Sequence, residues 1–394
     1  GDTIGVVAPS SPIIGDNIDE LNRAKEIVER SRFKVKYSKN IFSNTNGYSA
    51  TAREKAEDIN AMFADKEVKM IWCAKGGNNS NSTFEYLDYE LIKKNPKIIC
   101  GFSDITSITN MITEKTGLIT FSGTNFKTIA TDETDFSYKQ ALSRFVDGNL
   151  EFGPENEEYI TIQEGKADGE LIGGNLSLIR GMVAGKYSLD FTDKILFLEE
   201  LGFETDPEAT SNNVYYMKQN GVFDKIKGLW IGNYEHESGI SLEKIILDVL
   251  DGEYKFPIIK SNNFGHIERK TVVPIGTKAE INTDEDVKIK LREKALKMVY
   301  EVYLAELEYS KLLYKNLGLL DEVKTYLEFN VNYALSCIDF EPMFNVTEND
   351  VNSVVMNGYS TETKTHDFFS TKGNGYIKTT KVEDLTDEDF EFNF

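Results

Sequence analysis

Ile98-Ile99-Cys100-Gly101-Phe102-Ser103-Asp104-Ile105-Thr106 is an apolar run that stops at a glycine, turns through a serine and opens a helical pattern. The same order recurs on either side of it. Met70 to Ala74 is apolar and ends at Gly76-Gly77, and Leu118 to Phe121 ends at Ser122-Gly123. Upstream, Thr3 to Ala8 ends at Pro9-Ser10, and Phe33 to Tyr37 follows as another short strand. Between them, Ile18, Leu21, Ala24, Ile27 and Val28 repeat at helical spacing behind Asp16 and Asn17, and residues 51–64 read as a second helix. Strands separated by helices build βαβ units, so the fold class is α/β with a parallel sheet. In such sheets the site lies beyond the carboxyl ends of the strands. That rule puts Ser10, Gly76-Gly77, Ser103 and Ser122-Gly123 on one rim.

Farther out the texture changes. Residues 1–145 form the first expected domain. Residues 146–287 read as a smaller α+β domain, with strands at 159–163, 194–198, 227–231 and 271–283 and helices near 174–184 and 242–250. Residues 288–344 read as a helical segment, opened by a long amphipathic helix over 287–316 and followed by a helix from Asp321 to Cys337. Residues 345–394 read as a flexible acidic-aromatic tail, with Phe390, Phe392 and Phe394 set among acidic side chains. A chain of 394 residues accommodates two or three domains. The net charge of −21 opposes binding to nucleic acid, whose phosphates need clustered Lys and Arg. No apolar stretch approaches the roughly 20 residues of a membrane span. No signal peptide is visible, and the chain opens at Gly1 already entering a strand, which leaves room for a preceding piece. Cys73, Cys100 and Cys337 form no C-x-x-C pair, and the first two sit in apolar runs as buried reduced thiols. A cytoplasmic location follows as the expectation.

Acyl transfer by a serine needs an imidazole to take its proton and a third group to orient that imidazole. The chain holds three histidines, His236, His266 and His366, and the last lies in the polar tail. Ser103 sits where a strand turns into a helix, which presents its hydroxyl outward beside free backbone N–H groups. It either serves as the nucleophile there or caps the helix that follows. Gly76-Gly77 is either an ordinary turn or a donor of exposed N–H groups to an oxyanion. Glu199 ends the buried run Ile195 to Leu198 and suits a histidine partner, whereas Glu200 faces the other way and fits a solvated surface. His266, in Asn263-Phe264-Gly265-His266, and His236, after another apolar run, are rival bases.

Taken together, Gly76-Gly77, Gly101 to Thr106, Leu196-Phe197-Leu198-Glu199 and Phe264-Gly265-His266 resemble, in order and spacing, the L,D-carboxypeptidase family. That family includes murein tetrapeptide carboxypeptidases and microcin C self-immunity proteins. The likeness covers about residues 1–285. Gly76 to Asn81, followed by Tyr86-Leu87-Asp88-Tyr89, looks more like the immunity branch. The resemblance implies Ser103 as nucleophile, His266 as general base, Glu199 as its orienter, and oxyanion N–H groups from Gly77 and Asp104. It also implies a flavodoxin-like first domain, a barrel-like second domain, a homodimer, and no metal or organic cofactor. The substrate it implies is a small peptide or an aminoacyl nucleotide.

From about residue 290 the chain resembles a different protein, the C-terminal end of the class Ib ribonucleotide reductase small subunit. Glu308-Tyr309, Leu313-Tyr314, Asn330 with Ala334-Leu335, His366 to Ser370 and Gly373 to Tyr376 carry that likeness. It implies a tail that docks on the reductase large subunit, with Tyr376 matching a radical-relay tyrosine. Residues 290–394 hold one histidine and no Glu-x-x-His pair, so a dimetal site cannot be built from them. The junction near 285–295 therefore reads as a chimera, either a gene-model or assembly error that joins two pieces or a genuine fusion. A reductase small-subunit fragment without its own metal site is the alternative function.

Overall fold

A computed structural model describes residues 2–146, 148–150, 152 and 158–292, with the backbone of two strands at 365–370 and 376–381. The chain divides into two compact units, one of residues 1–145 and 149–295, the other of 146–148 and 296–394.

In the first unit, β1 (Thr3–Val7), β2 (Lys34–Tyr37), β3 (Val68–Cys73), β4 (Ile98–Gly101) and β5 (Thr120–Ser122) alternate with α1 (Asp16–Arg30), α2 (Ala52–Ala64), α3 (Tyr89–Lys94), α4 (Thr106–Thr116) and α5 (Phe136–Phe145). The five strands are parallel and lie in the order β2-β1-β3-β4-β5. The order reverses between β1 and β3, which opens a crevice at their carboxyl ends. β3, apart from the exposed Lys69, and β4 are apolar because helices cover both sheet faces. Thr51 starts α2 with a reciprocal capping box to Glu54, the pairing that a Thr-x-x-Glu spacing permits.

A second, mixed sheet follows. It is built from β6 (Ile160–Gln163), β7 (Lys166–Asn175), β8 (Ile195–Glu199), β9 (Gly228–Ile231), β10 (Ile258–Lys260), β12 (Lys278–Asn282) and β13 (Ile289–Leu291), with β11 (Val273–Ile275) falling between β10 and β12 in sequence. Its order is β13-β12-β7-β8-β9-β10-β6, and α6 (Leu176–Arg180), α7 (Pro207–Gln219) and α8 (Leu242–Leu250) accompany it. Strand periodicity sorts β8 cleanly. Leu196 and Leu198 join the core under α6, α7 and α8, while Ile195 and Phe197 join Trp230, Phe264 and Val273 on the opposite face. Burying one such large apolar side chain contributes about 1.5–3 kcal/mol. Glu199 continues the Ile195–Phe197 face, and Glu200 begins the other.

β11 pairs antiparallel with β5 and so completes the first sheet from a distant part of the chain. The expected strand over 271–283 is thus two strands, broken at Gly276, whose φ of +88° only glycine adopts freely. The all-parallel sheet expected from the sequence is accordingly a mixed one. A further correction concerns the long helix expected from 287. Ile289–Leu291 is a strand against β12, because Val287 to Leu291 alternates with period two and finds an open sheet edge. α4 lies between the sheets despite its Thr, Ser and Asn content. Asn110 makes this possible by donating to Gly173 O at 2.8 Å and accepting from Gly173 N at 3.2 Å.

In the second unit, β14 (Thr365–Ser370) and β15 (Tyr376–Lys381) pair antiparallel, His366 opposite Thr380 and Tyr376 opposite Ser370. These two paired strands fall within the stretch expected as a flexible tail, the rest of which lies outside the described residues. The expected helices beyond 292, Cys337 and the terminal acidic-aromatic residues lie outside the described residues. Among those described, no helix is long and apolar enough to cross a membrane.

Candidate active site

Ser103 follows β4 with φ +66°, a left-handed conformation that is rare and strained for a residue with a side chain. The turn is held from behind by Asn125, whose Oδ1 accepts from Phe102 N at 3.1 Å. Gly76 lies opposite it, where a Cβ would stand 3.0 Å from Ser103 Cβ, a tight contact that glycine avoids. The hydroxyl does not cap the helix that follows. It meets His266 instead: Ser103 Oγ lies 3.1 Å from Nε2.

His266 reaches this position because Gly265, at φ +113°, lets its chain pass against Glu199, where any Cβ would lie 2.9 Å from Glu199 Cβ. Nδ1 is 2.7 Å from Glu199 Oε2. A carboxylate only accepts, so Nδ1 carries the proton and Nε2 of the neutral ring faces the Ser103 hydroxyl as acceptor. Burial alone would depress the imidazole, but the charge and hydrogen bond of Glu199, aided by Glu200, outweigh it and hold its pKa above the ordinary value. His236, the rival, pairs through Nδ1 with Ser238 and stacks on Tyr234.

The two carboxylates at the end of β8 are both buried, Glu199 at 3% and Glu200 at 2% exposure. Glu200 was expected at a solvated surface. It accepts instead from Asn175 Nδ2 and Ser177 N at 2.9 Å each, from Ser177 Oγ at 2.5 Å and from Leu201 N at 2.8 Å. Desolvation pushes its pKa up despite these bonds, and the neighbouring Glu199 adds to the rise. None of its side-chain donors is adjacent in sequence, so no local signal marks it.

Asp104 sits directly after the serine at 2% exposure. Its Oδ2 accepts from Ser10 Oγ at 2.5 Å and Ser80 N at 2.9 Å, while Ser80 Oγ donates to Asp104 O at 2.7 Å. One carboxyl thus ties the segments that follow β1, β3 and β4. Burial raises its pKa against the opposing effect of these hydrogen bonds and of Lys55. Gly77 turns with φ +132° against Ser11. Its N–H lies in the segment after β3, and that of Asp104 directly follows Ser103 at a helix start. Cys73 and Cys100 are free and buried, with burial raising both thiols. Tyr376 opens β15, in the other unit.

Residues 4–123 match the profile described as the LD-carboxypeptidase N-terminal domain, and residues 168–281 match its C-terminal domain. A probable murein peptide carboxypeptidase of Bacillus subtilis (strain 168) is 33% identical over 297 residues, which span 72% of this chain and 90% of that protein. A solved structure of the microcin C7 self-immunity protein MccF in complex with aspartyl sulfamoyl adenosine aligns with TM-score 0.68 and 26% identity. It covers 75% of this chain and 97% of its own. Separately, the ribonucleoside-diphosphate reductase subunit beta of Bacillus subtilis (strain 168) is 48% identical over 108 residues, 27% of this chain and 32% of that protein.

Proposed function

This chain belongs to the LD-carboxypeptidase family, and from that premise we propose that it is a serine hydrolase cleaving an amide or acyl bond through Ser103, His266 and Glu199. The single observation that supports the reading is the relay of contacts, 3.1 Å from Ser103 Oγ to the imidazole and 2.7 Å from the imidazole to Glu199. His266 Nε2 takes the hydroxyl proton as Ser103 Oγ attacks the carbonyl carbon. Glu199 holds the ring's tautomer and balances the imidazolium that forms. The N–H groups of Gly77 and Asp104 receive the oxyanion, and preorganised donors of this kind are worth about 3–4 kcal/mol each in the transition state. The imidazolium then protonates the leaving group. Water, activated by the same imidazole, releases the acyl-enzyme.

The substrate class is a small peptide ending in a D-residue, or an aminoacyl nucleotide of the kind bound to the solved relative. We assign the reaction to the cytoplasm, in keeping with the buried, unpaired Cys73 and Cys100, and to a homodimer. The test is labelling by a serine-directed phosphonate, coupled to hydrolysis of a murein tetrapeptide and of an aminoacyl sulfamoyl adenosine. Label and turnover are expected in the native chain and absent in Ser103→Ala. Label that persists in the variant overturns the assignment.

A second reading concerns only the C-terminal segment. Its 48% identity to a reductase beta subunit favours a docking tail for the reductase large subunit, Tyr376 included, carried by a chain whose own chemistry is hydrolytic.

A further inference from the structure

We infer that Lys270 is a positioning residue for His266, clamping the loop that carries the imidazole and holding a positive charge against it. The inference rests on the triad reading above. Lys270 is only 5% exposed, and among the described residues its ammonium forms no ion pair. Nζ donates to the carbonyl of Ile267, the residue after the imidazole, and stands 4.5 Å from the centroid of the Phe102 ring. That ring meets the imidazole in turn, 5.1 Å between centroids at 57°. Phe102 precedes the nucleophile, so one ammonium touches both the turn that carries the serine and the loop that carries the base. The loop's far end is fixed by Ser137, whose Oγ accepts from Lys270 N at 3.2 Å and donates to Glu268 O at 2.8 Å.

A methionine would fill the same volume without the cost of burying a charge with one acceptor and one aromatic face. What the charge adds is its field. The groups that act on the imidazole are Glu199 at the end of β8 and Glu200 just after it, which raise its proton affinity, and Lys270, which lowers it. Two buried carboxylates alone would raise the ring's proton affinity further, and a protonated ring cannot accept a proton from Ser103. Lys270 offsets part of that pull. Desolvation brings its own pKa down to about 8, against the attraction of Glu199, Asp132 and Glu268, so it remains mostly charged at neutral pH.

The test is an NMR titration of the His266 ring in the full chain, alongside the pH profile of kcat/KM. Lys270→Met should raise the His266 midpoint by about half a pH unit or more, and lower kcat/KM at neutral pH about tenfold. Lys270→Arg, which keeps the charge, should restore the native midpoint. A midpoint unmoved in Lys270→Met, or moved equally in Lys270→Arg, overturns the inference, including the case in which rates fall evenly at every pH. Should Lys270→Met fail to fold, Lys270→Gln carries the same comparison. The titration needs no substrate, so it can fail while phosphonate labelling of Ser103 succeeds. Absence of labelling in the native chain would instead remove the hydrolase reading.

Discussion

His266 stands between one hydroxyl and one carboxylate, and its proton affinity decides when the site can work. Desolvation lowers that affinity, but the facing charge and hydrogen bond of Glu199 raise it further, with Glu200 adding to the rise. A raised pKa means that the ring stays protonated to a higher pH than an ordinary histidine. The general base must be neutral, so kcat/KM should fall as pH drops through a midpoint above about 6.5. Glu199→Gln removes the largest raising influence. It should shift that midpoint to lower pH while cutting kcat by about a thousandfold or more, since the tautomer is no longer held. Steady-state kinetics from pH 5 to 9 measure both. A limb that stays at the native position in Glu199→Gln would mean that the carboxylate does not act on the base.

Elements, more than residues, bring the site together, because the three partners come from β4, β8 and the loop before β11. Asp104 is the tie among the rim segments. Its carboxyl accepts from Ser10 and Ser80, which follow β1 and β3. Asp104→Ala would leave two buried donors unpaired, a loss of about 1–3 kcal/mol for each, readable as a lower urea midpoint with the slope unchanged. Asp104→Asn keeps an acceptor and should lose less. Phosphonate labelling of Ser103 should slow in Asp104→Ala, because the Gly77 segment loses its anchor through Ser80. Equal stability of the alanine variant and the native chain would refute the tie. At this scale the sequence was legible where a signal is local. The β1 to β5 alternation, the Ser103 turn and the limited choice of histidines were all open to reading. Contacts set by distant partners were not. Glu200 looks like surface until Asn175 and Ser177 fold onto it. β11 looks like the start of β12 until Gly276 turns it toward β5. α7 was missed although Asp206-Pro207 marks its start, an N-cap followed by a proline at the first helical position. Lys270 resembled any loop lysine.

At the scale of the whole molecule the chain carries two likenesses, one to a carboxypeptidase over 72% of its length and one to a reductase beta subunit over 27%. The hydrolase likeness takes up 297 aligned residues and 90% of a relative's own length. The first unit has its own sheets, buried apolar cores against each of them and all members of the candidate site. Its last described strand, β13, closes the edge of β12. A chain ending at Arg292 should therefore fold, label at Ser103 and hydrolyse substrate within about twofold of the full chain, as is usual when independent domains are separated. Cutting earlier, before Val287, would remove β13 and leave Ala279 and Ile281 with one side uncovered, so that shorter chain should lose stability. The pair also tests the second likeness. If residues 293–394 dock on a reductase large subunit, the full chain should bind that purified subunit by calorimetry and the chain ending at Arg292 should not. Binding by both, or by neither, would leave the C-terminal segment without the docking role. Loss of Ser103 labelling in the Arg292 chain would show that the hydrolase depends on the segment that resembles another protein.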